Sequence, residues 1–160
     1  MAMDMFIKIG TLKGESLDKT HTGDIDVLAW SWGASNSGNA HIGGGAGAGK
    51  VNVQDLSFTK YVDKSTPSLL AAVCDGSHYA DATLVVRKAG KSPIEYITIK
   101  LTEVFVTSVS SGGAGGEDKL TENVTLNFAK FNYSYKPQKA DGTADTAIPM
   151  GWDIQKNVKF

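Results

Sequence analysis

A chain of 160 residues with one cysteine and a formal net charge of −1 fits one domain, long enough to bury a core. The near-neutral balance, with a pI of about 6.3, argues against a nucleic-acid or membrane-surface footprint, and the lone Cys74 excludes an intrachain disulfide. No run reaches the ~18 apolar residues of a membrane span, and "MAMDMFIKIG" has no basic leader and is interrupted by Asp4 and Lys8, so a protein without a standard secretory signal is expected.

Strand signals dominate the chain. "MFIKIG" puts Met5, Ile7 and Ile9 on one face. "IDVLAWSWG" puts Leu28, Trp30 and Trp32 on one face and Val27, Ala29 and Ser31 on the other. Large aromatics gain most from burial, so the tryptophans are expected in the core and Ala29 and Ser31 on the outside.

A long stretch from Gly33 to Lys50 follows, holding seven of the eighteen glycines. Within it "HIGGGAGAGKVN" approaches a phosphate-binding Gly-x-x-x-x-Gly-Lys-[Ser/Thr] loop, from Gly44 to Gly49-Lys50. The phosphate reading fails on three counts. Val51 stands where the Mg²⁺-binding hydroxyl belongs, turn-formers precede the loop, and "VNVQDLSFTKYV" after it alternates like a strand instead of opening a helix. A glycine stretch of this length is expected to be an extended loop whose small residues permit close backbone contact.

One helix is expected, in "DKSTPSLLAAVCDGSH", with Ser65 or Thr66 as cap, Pro67 in the first turn and Gly76 at the end. Leu69, Leu70, Val73 and Cys74 form its apolar stripe, with Cys74 a small buried side chain rather than a nucleophile. Strands follow in "DATLVVRKAG", "IEYITIKLTEVFVTSV", "KLTENVTLNFAKFNYSYK" and "GWDIQKNVKF", with "SSGGAGG" as a connection between two of them.

Three long strands slip phase. The apolar parity moves from Val51 and Val53 to Leu56 and Phe58, from Ile97, Ile99 and Leu101 to Val104 and Val106, and from Val124, Leu126 and Phe128 to Phe131, Tyr133 and Tyr135. Such slips mark bulges or bends, which curl a sheet toward closure; burial on both faces by a partner is the alternative cause. For the last strand, one set is expected to pack the core and the other to face a neighbouring subunit or the helix. The fold class expected is mainly β: a curved antiparallel β-barrel with one α-helix on its side and a long glycine-rich loop, in a single domain over 1–160.

No catalytic, cofactor or metal site assembles from the pattern. His21, His41 and His78 show no metal-ligand spacing. "GASNS" lacks the second glycine of a nucleophile elbow. Asp24, Asp26, Glu117, Asp118 and Glu122 fit solvated turns, and the sequons at Asn123 and Asn132 fit chance.

The segments "DMFIKIG", "LKGES", "IDVLAWSWGASNSG", "GGGAGAGKVNVQDLSFTKYVDKSTPSLL", "GGEDKLTENVTLNF", "YKPQKADG" and "GWDIQKNV" together resemble the haemolysin-coregulated protein family, the tube proteins of bacterial type VI secretion. The resemblance runs from Asp4 to the last strand. It implies a non-enzymatic subunit of homohexameric rings that stack into a tube. The tube would be assembled in the cytoplasm and expelled without a signal peptide, in company with sheath and spike components and with effector proteins in the lumen. It implies no cofactor, nucleic acid or membrane insertion, and the unfused form of the family. It makes the glycine stretch, with Gly43, Gly44, Gly45, Gly47, Gly49 and Lys50, a loop reaching a neighbouring subunit or ring. Ser31, with Ala29 beside it, is assigned to the lumen, because small neutral side chains suit a channel wall. Two other readings compete: a monomeric small-ligand-binding β-barrel using Trp30 and Trp32, and a hydrolase built on scattered Asp, Ser and His.

Overall fold

A computed structural model describes residues 2–38 and 49–160. In chain order the elements are β1 (Met3–Ile9), β2 (Ile25–Asp26), β3 (Ala29–Ser31), β4 (Ala34–Ser35), β5 (Asn52–Val53), β6 (Leu56–Tyr61), α1 (Thr66–Asp75), β7 (His78–Lys88), β8 (Glu95–Ser111), β9 (Thr121–Tyr135), β10 (Ile148–Asp153) and β11 (Val158–Lys159). Strands β11, β10, β9, β8, β7, β1 and β2 lie in that order, with β6 joining β9 to β3. Every named pairing is antiparallel. The chain passes from β2 through a bend into β3, so the path β9–β8–β7–β1–β2/β3–β6–β9 returns on itself around one core. Mainly antiparallel β-structure with one helix on the barrel is therefore borne out.

Alternation places the core as expected at Ile7, Ile9, Leu84, Val86, Ile99, Leu101, Val124 and Leu126, all buried. The phase slips have two causes. The slip after Val53 is a break between two sheets: β5 pairs with β4, and β6 pairs with β3 and β9. The other two slips are one event, because they sit at the same level. Glu103 has a positive φ of 55°, and the ladder passes from Thr102↔Lys130 to Val104↔Phe128 around it. On β8 burial jumps from Leu101 to Val104, and on β9 from Phe131 to Phe128. Both strands kink together, and the inner face changes parity without changing register. A separate bulge lies between Val106 and Ser108.

Several expectations are corrected. Phe131 packs in the same core as Val124, Leu126 and Phe128, 6.4 Å from the Phe128 ring and nearly perpendicular to it, Tyr133 is partly buried against it, and Tyr135 is exposed. Leu28 is exposed, because the bend between β2 and β3 resets the parity between buried Val27 and half-buried Trp30. "GWDIQKNVKF" is not one strand but a hairpin: a turn holding Asn157 at φ 55° lies between β10 and β11.

The helix forms where expected and ends at Gly76 in the left-handed conformation, whose N–H bonds Ala72 O at 3.0 Å. Its buried residues are Thr66, Leu69 and Ala72. Leu70 and Val73 are exposed, and so is Cys74. The buried stripe is therefore narrower than expected. Ser65 stands at the N-cap but makes no side-chain cap bond.

The helix start is held instead by a buried polar cluster. Lys60 on β6 pairs with Glu122, its register partner on β9, and both side chains are fully buried. The Lys60 ammonium also donates to Asp63 Oδ1 (3.0 Å), Tyr61 O (2.9 Å) and Thr66 Oγ1 (3.2 Å). Thr66 and Ser111 hydroxyls donate to the two Glu122 oxygens at 2.6 and 2.8 Å. Burial pushes the Glu122 carboxyl up, but the Lys60, Thr66 and Ser111 bonds outweigh it and hold the group below its usual value.

Candidate functional site

Ala29 and Ser31 lie on the outer face of a four-strand sheet made by β3, β6, the first half of β9 and the second half of β8. The registers align two complete rows of side chains across it. One row is Ala29, Thr59, Asn123, Ser110; the next is Ser31, Ser57, Thr125, Ser108. Seven of these eight positions carry a hydroxyl or an amide, and none carries a charge. Between them, on the inner face, stand Phe58 and Val124 in the core, with Trp30 and Val109 packed against it. The outer face is thus the polar half of an ordinary period-two pattern, with charges left out of it.

The polar groups satisfy one another across strands. Thr59 Oγ1 donates to Asn123 Oδ1 at 2.7 Å, and the Ser57 and Thr125 hydroxyls lie 3.4 Å apart. Asp55 stands at one margin, where its carboxylate accepts from Asn127 Nδ2 at 2.8 Å and from Thr107 Oγ1 at 3.4 Å. An open depression of ≈ 230 Å³ runs over Ala29, Ser31, Ser57, Thr59 and Asn123, with Trp30 and Phe58 below. Cross-strand bonds of this kind fix the side chains on the face.

Both lateral edges of this sheet are open among the described residues. The ladder of β7 on β8 ends at Phe105, so residues 106–111 of β8 pair only with β9. On the other side β3 pairs only with β6. Open edges of an uncharged sheet are templates for pairing with another chain.

Trp30 and Trp32 are half-buried and packed against the core, as expected. Trp32 stands edge-on to Phe131 with centroids 4.8 Å apart and stacks on Tyr133 at 6.2 Å. The indoles serve packing, and a ligand pocket built on them gains no support. His21 lies between two carboxylates, His78 tilts against Phe105 at 5.2 Å, and His41 lies outside the described residues. Among the described residues no group of three or more His, Cys, Asp or Glu is placed to hold a metal ion.

Of the glycine stretch, Gly43, Gly44, Gly45 and Gly47 lie outside the described residues. Its two limbs leave the barrel as the β4–β5 pair, Ala34↔Val53 and Ser35↔Asn52. Asn36 Nδ2 donates to Gly49 O at 2.6 Å, and a Cβ at Gly49 would stand 2.1 Å from Ser37 Oγ. The two limbs approach closely at Gly49, where a Cβ would require the Ser37 hydroxyl to turn aside, and Lys50 beside it is exposed.

Sequence reasoning placed Ala29 and Ser31 on the outer face, where they lie, but missed their neighbours Ser57, Thr59, Ser108, Ser110, Asn123 and Thr125. The signal was present as small polar residues alternating with apolar ones in three separate segments. Only the strand register brings those segments together.

Residues 6–135 match the family model described as "Type VI secretion system effector, Hcp". The chain is 64% identical to Protein hcp1 of Pseudomonas aeruginosa, with 99% of each covered. Among solved structures, a type six secretion system protein superposes with a TM-score of 0.94 at 30% identity, covering 99% of this chain and 100% of the other. Hcp1 from Salmonella typhimurium gives 0.80 at 32% identity, with 100% of each chain covered. A type VI secretion system effector from Yersinia pestis gives 0.77 at 36%, covering 94% and 99%.

Proposed function

The chain belongs to the Hcp family of type VI secretion tube proteins, structural and non-catalytic components, and we propose that it is the ring-forming subunit of such a tube, with the neutral sheet face as the wall of its lumen. Six copies close into a ring, rings stack into a tube assembled in the cytoplasm and then expelled, and effector proteins travel inside under sheath and spike components. The observation that carries this reading is the uncharged two-row face with an open edge on either side. A sheet whose left edge is β3 and right edge is β8 repeats around an axis when one edge of each copy meets the other edge of the next. That is a heterologous contact, which closes if its rotation closes. Facing such an axis, Ser31 and Ala29 line the channel, where bulk would narrow the passage and strong charge would trap cargo. The arm through Gly43, Gly44, Gly45, Gly47, Gly49 and Lys50 reaches the adjacent subunit or ring. Neither nucleic acid nor a bilayer is a partner in this reading.

The test has two parts. Light scattering behind size-exclusion chromatography should give about six chains per particle; a monodisperse monomer at high concentration in physiological salt sinks the ring. Ser31→Gln adds bulk to the outer face without touching a core atom, so the ring should persist while co-purification of an effector, and its protection from proteolysis, weaken. Equal cargo on wild-type and variant rings, or an unfolded variant, removes Ser31 from the lumen.

A further inference from the structure

The segment 13–24 between β1 and β2 lies as a strap over the outside of β1 and β7. Its two limbs are tied by Gly14 N to Gly23 O (2.7 Å), Ser16 N to Asp24 O (3.0 Å) and Gly23 N to Ser16 O (2.9 Å). A Cβ at Gly14 would stand 2.4 Å from Asp24 O, so the base closes only on glycine. Beneath the strap, outward-facing Phe6, Val85 and Arg87 are buried although they point away from the core. Arg87 binds the Asp18 carboxylate with both terminal nitrogens and reaches Thr20 Oγ1 at 3.1 Å. At the tip, Leu17 is 94% exposed.

Beyond the Arg87 contacts to Asp18 and Thr20, the far limb is fastened at His21. His21 stacks on Phe6 with centroids 4.5 Å apart and planes 12° apart. Its Nδ1 lies 2.9 Å from Asp24 Oδ2, and its Nε2 lies 2.7 Å from Glu95 Oε1 at the start of β8. Ionised carboxylates only accept, so both ring nitrogens must donate, and only the imidazolium has two N–H groups. A neutral ring keeps one N–H and turns a lone pair toward the other carboxylate. The geometry itself therefore requires the proton.

We propose that His21 is a proton-operated latch, whose imidazolium bridges Asp24 in the strap to Glu95 on the barrel wall and whose deprotonation lets the strap lift. The charged groups around it are Asp18 and Asp24 from the strap, Lys8 from β1, Arg87 from β7 with Asp4 of β1 beyond it, and Glu95 from β8. Asp18 and Asp4 are engaged by Arg87, which leaves Asp24 and Glu95 to the histidine. Burial opposes the charged ring, but the two carboxylates outweigh it and raise the group above its ordinary value. A raised folded value places the stabilisation below the unfolded value and removes it as pH rises through the folded one. The latch is closed below the ordinary histidine value and opens as pH rises through the raised one, and its state sets where Leu17 is displayed.

Exchange read by mass spectrometry tests this on the assembled protein. Exchange of the imidazole C2 hydrogen gives the titration of His21, and amide exchange gives the protection of the strap, corrected for the chemical rate. His21 should titrate above an ordinary histidine. Protection of the Ser16 and Gly23 amides should fall by about tenfold between about pH 6 and pH 9, as one charge-assisted bond is lost, while β7 and β8 keep theirs. Glu95→Gln should bring the titration back toward the ordinary value, and His21→Gln should make strap protection independent of pH. A wild-type His21 that titrates at or below the ordinary value, or strap protection unchanged across that range, overturns the latch. The wild-type titration decides the matter even where a variant fails to fold.

Discussion

Replacing Lys60 with methionine keeps most of the length of the side chain and deletes its charge and its hydrogen-bond donors. The Lys60 ammonium is fully buried and makes four contacts, to Glu122, Asp63, Thr66 and Tyr61 O. Its removal leaves the Glu122 carboxylate, also fully buried, with two hydroxyl donors and no counter-ion. Breaking a buried pair from one side costs about 3–5 kcal/mol. For a chain of this size each kcal/mol moves the melting point by roughly 2–4 °C, so a fall of roughly 6–20 °C is expected. Calorimetry at fixed protein concentration is the assay, because assembly would make the melting point concentration-dependent. Lys60→Met with Glu122→Leu should recover most of the loss, since neither charge is then stranded. The pH dependence adds a second check. In the wild type Glu122 is held below its usual value, so its stabilisation is present at neutral pH and lost as pH falls through that lowered value. In Lys60→Met burial dominates and the carboxyl protonates earlier, so the deficit should shrink between about pH 7 and pH 4. A variant that melts within about 1 °C of wild type at pH 7, or a deficit that stays constant toward acid, refutes the account.

On α1, Leu69→Ala should destabilise by about 2–5 kcal/mol, whereas Val73→Ser, on the exposed side, should stay within about 0.5 kcal/mol; urea melts compare them, and equal costs would put the helix on the wrong face. Deleting part of the run from Gly43 to Gly49 should leave the barrel's melting point unchanged while impairing tube formation and secretion; normal firing by the shortened protein would reduce the arm to a spacer.

The parts of the fold written in periodicity were legible. Ile7 and Ile9, the β8 alternation and the helix stop at Gly76 read directly from spacing. What failed were places where tertiary contact overrides period. Leu28 takes the wrong side because two consecutive residues, Leu28 and Ala29, face solvent at a bend. Leu70, Val73 and Cys74 share a plausible stripe, but a ten-residue helix lying on a barrel buries less than half its circumference. The joint kink at Glu103 left its trace in both strands, yet only the pairing shows that two slips are one. For the candidate site, the sequence could mark Ser31 and Ala29 as small and outward-facing. It could not supply the two rows, because each row draws on four segments spread from residue 29 to residue 125.

The division of β9 between two neighbours bears on mechanics. Its first half holds β6 and the neutral face, its second half holds β10, and β8 runs beside it from Ile97↔Tyr135 to Ser111↔Glu122. A thrust delivered to the β10–β11 hairpin passes along β9, parallel to its backbone. Inter-strand bonds stand across that direction, so the whole β8–β9 ladder is sheared at once and its bonds share the load, where a peeling force would break them one at a time. This strand makes the β10–β11 hairpin and the neutral face one stiff member, with compliance at the Glu103 kink and at the bulge between Val106 and Ser108.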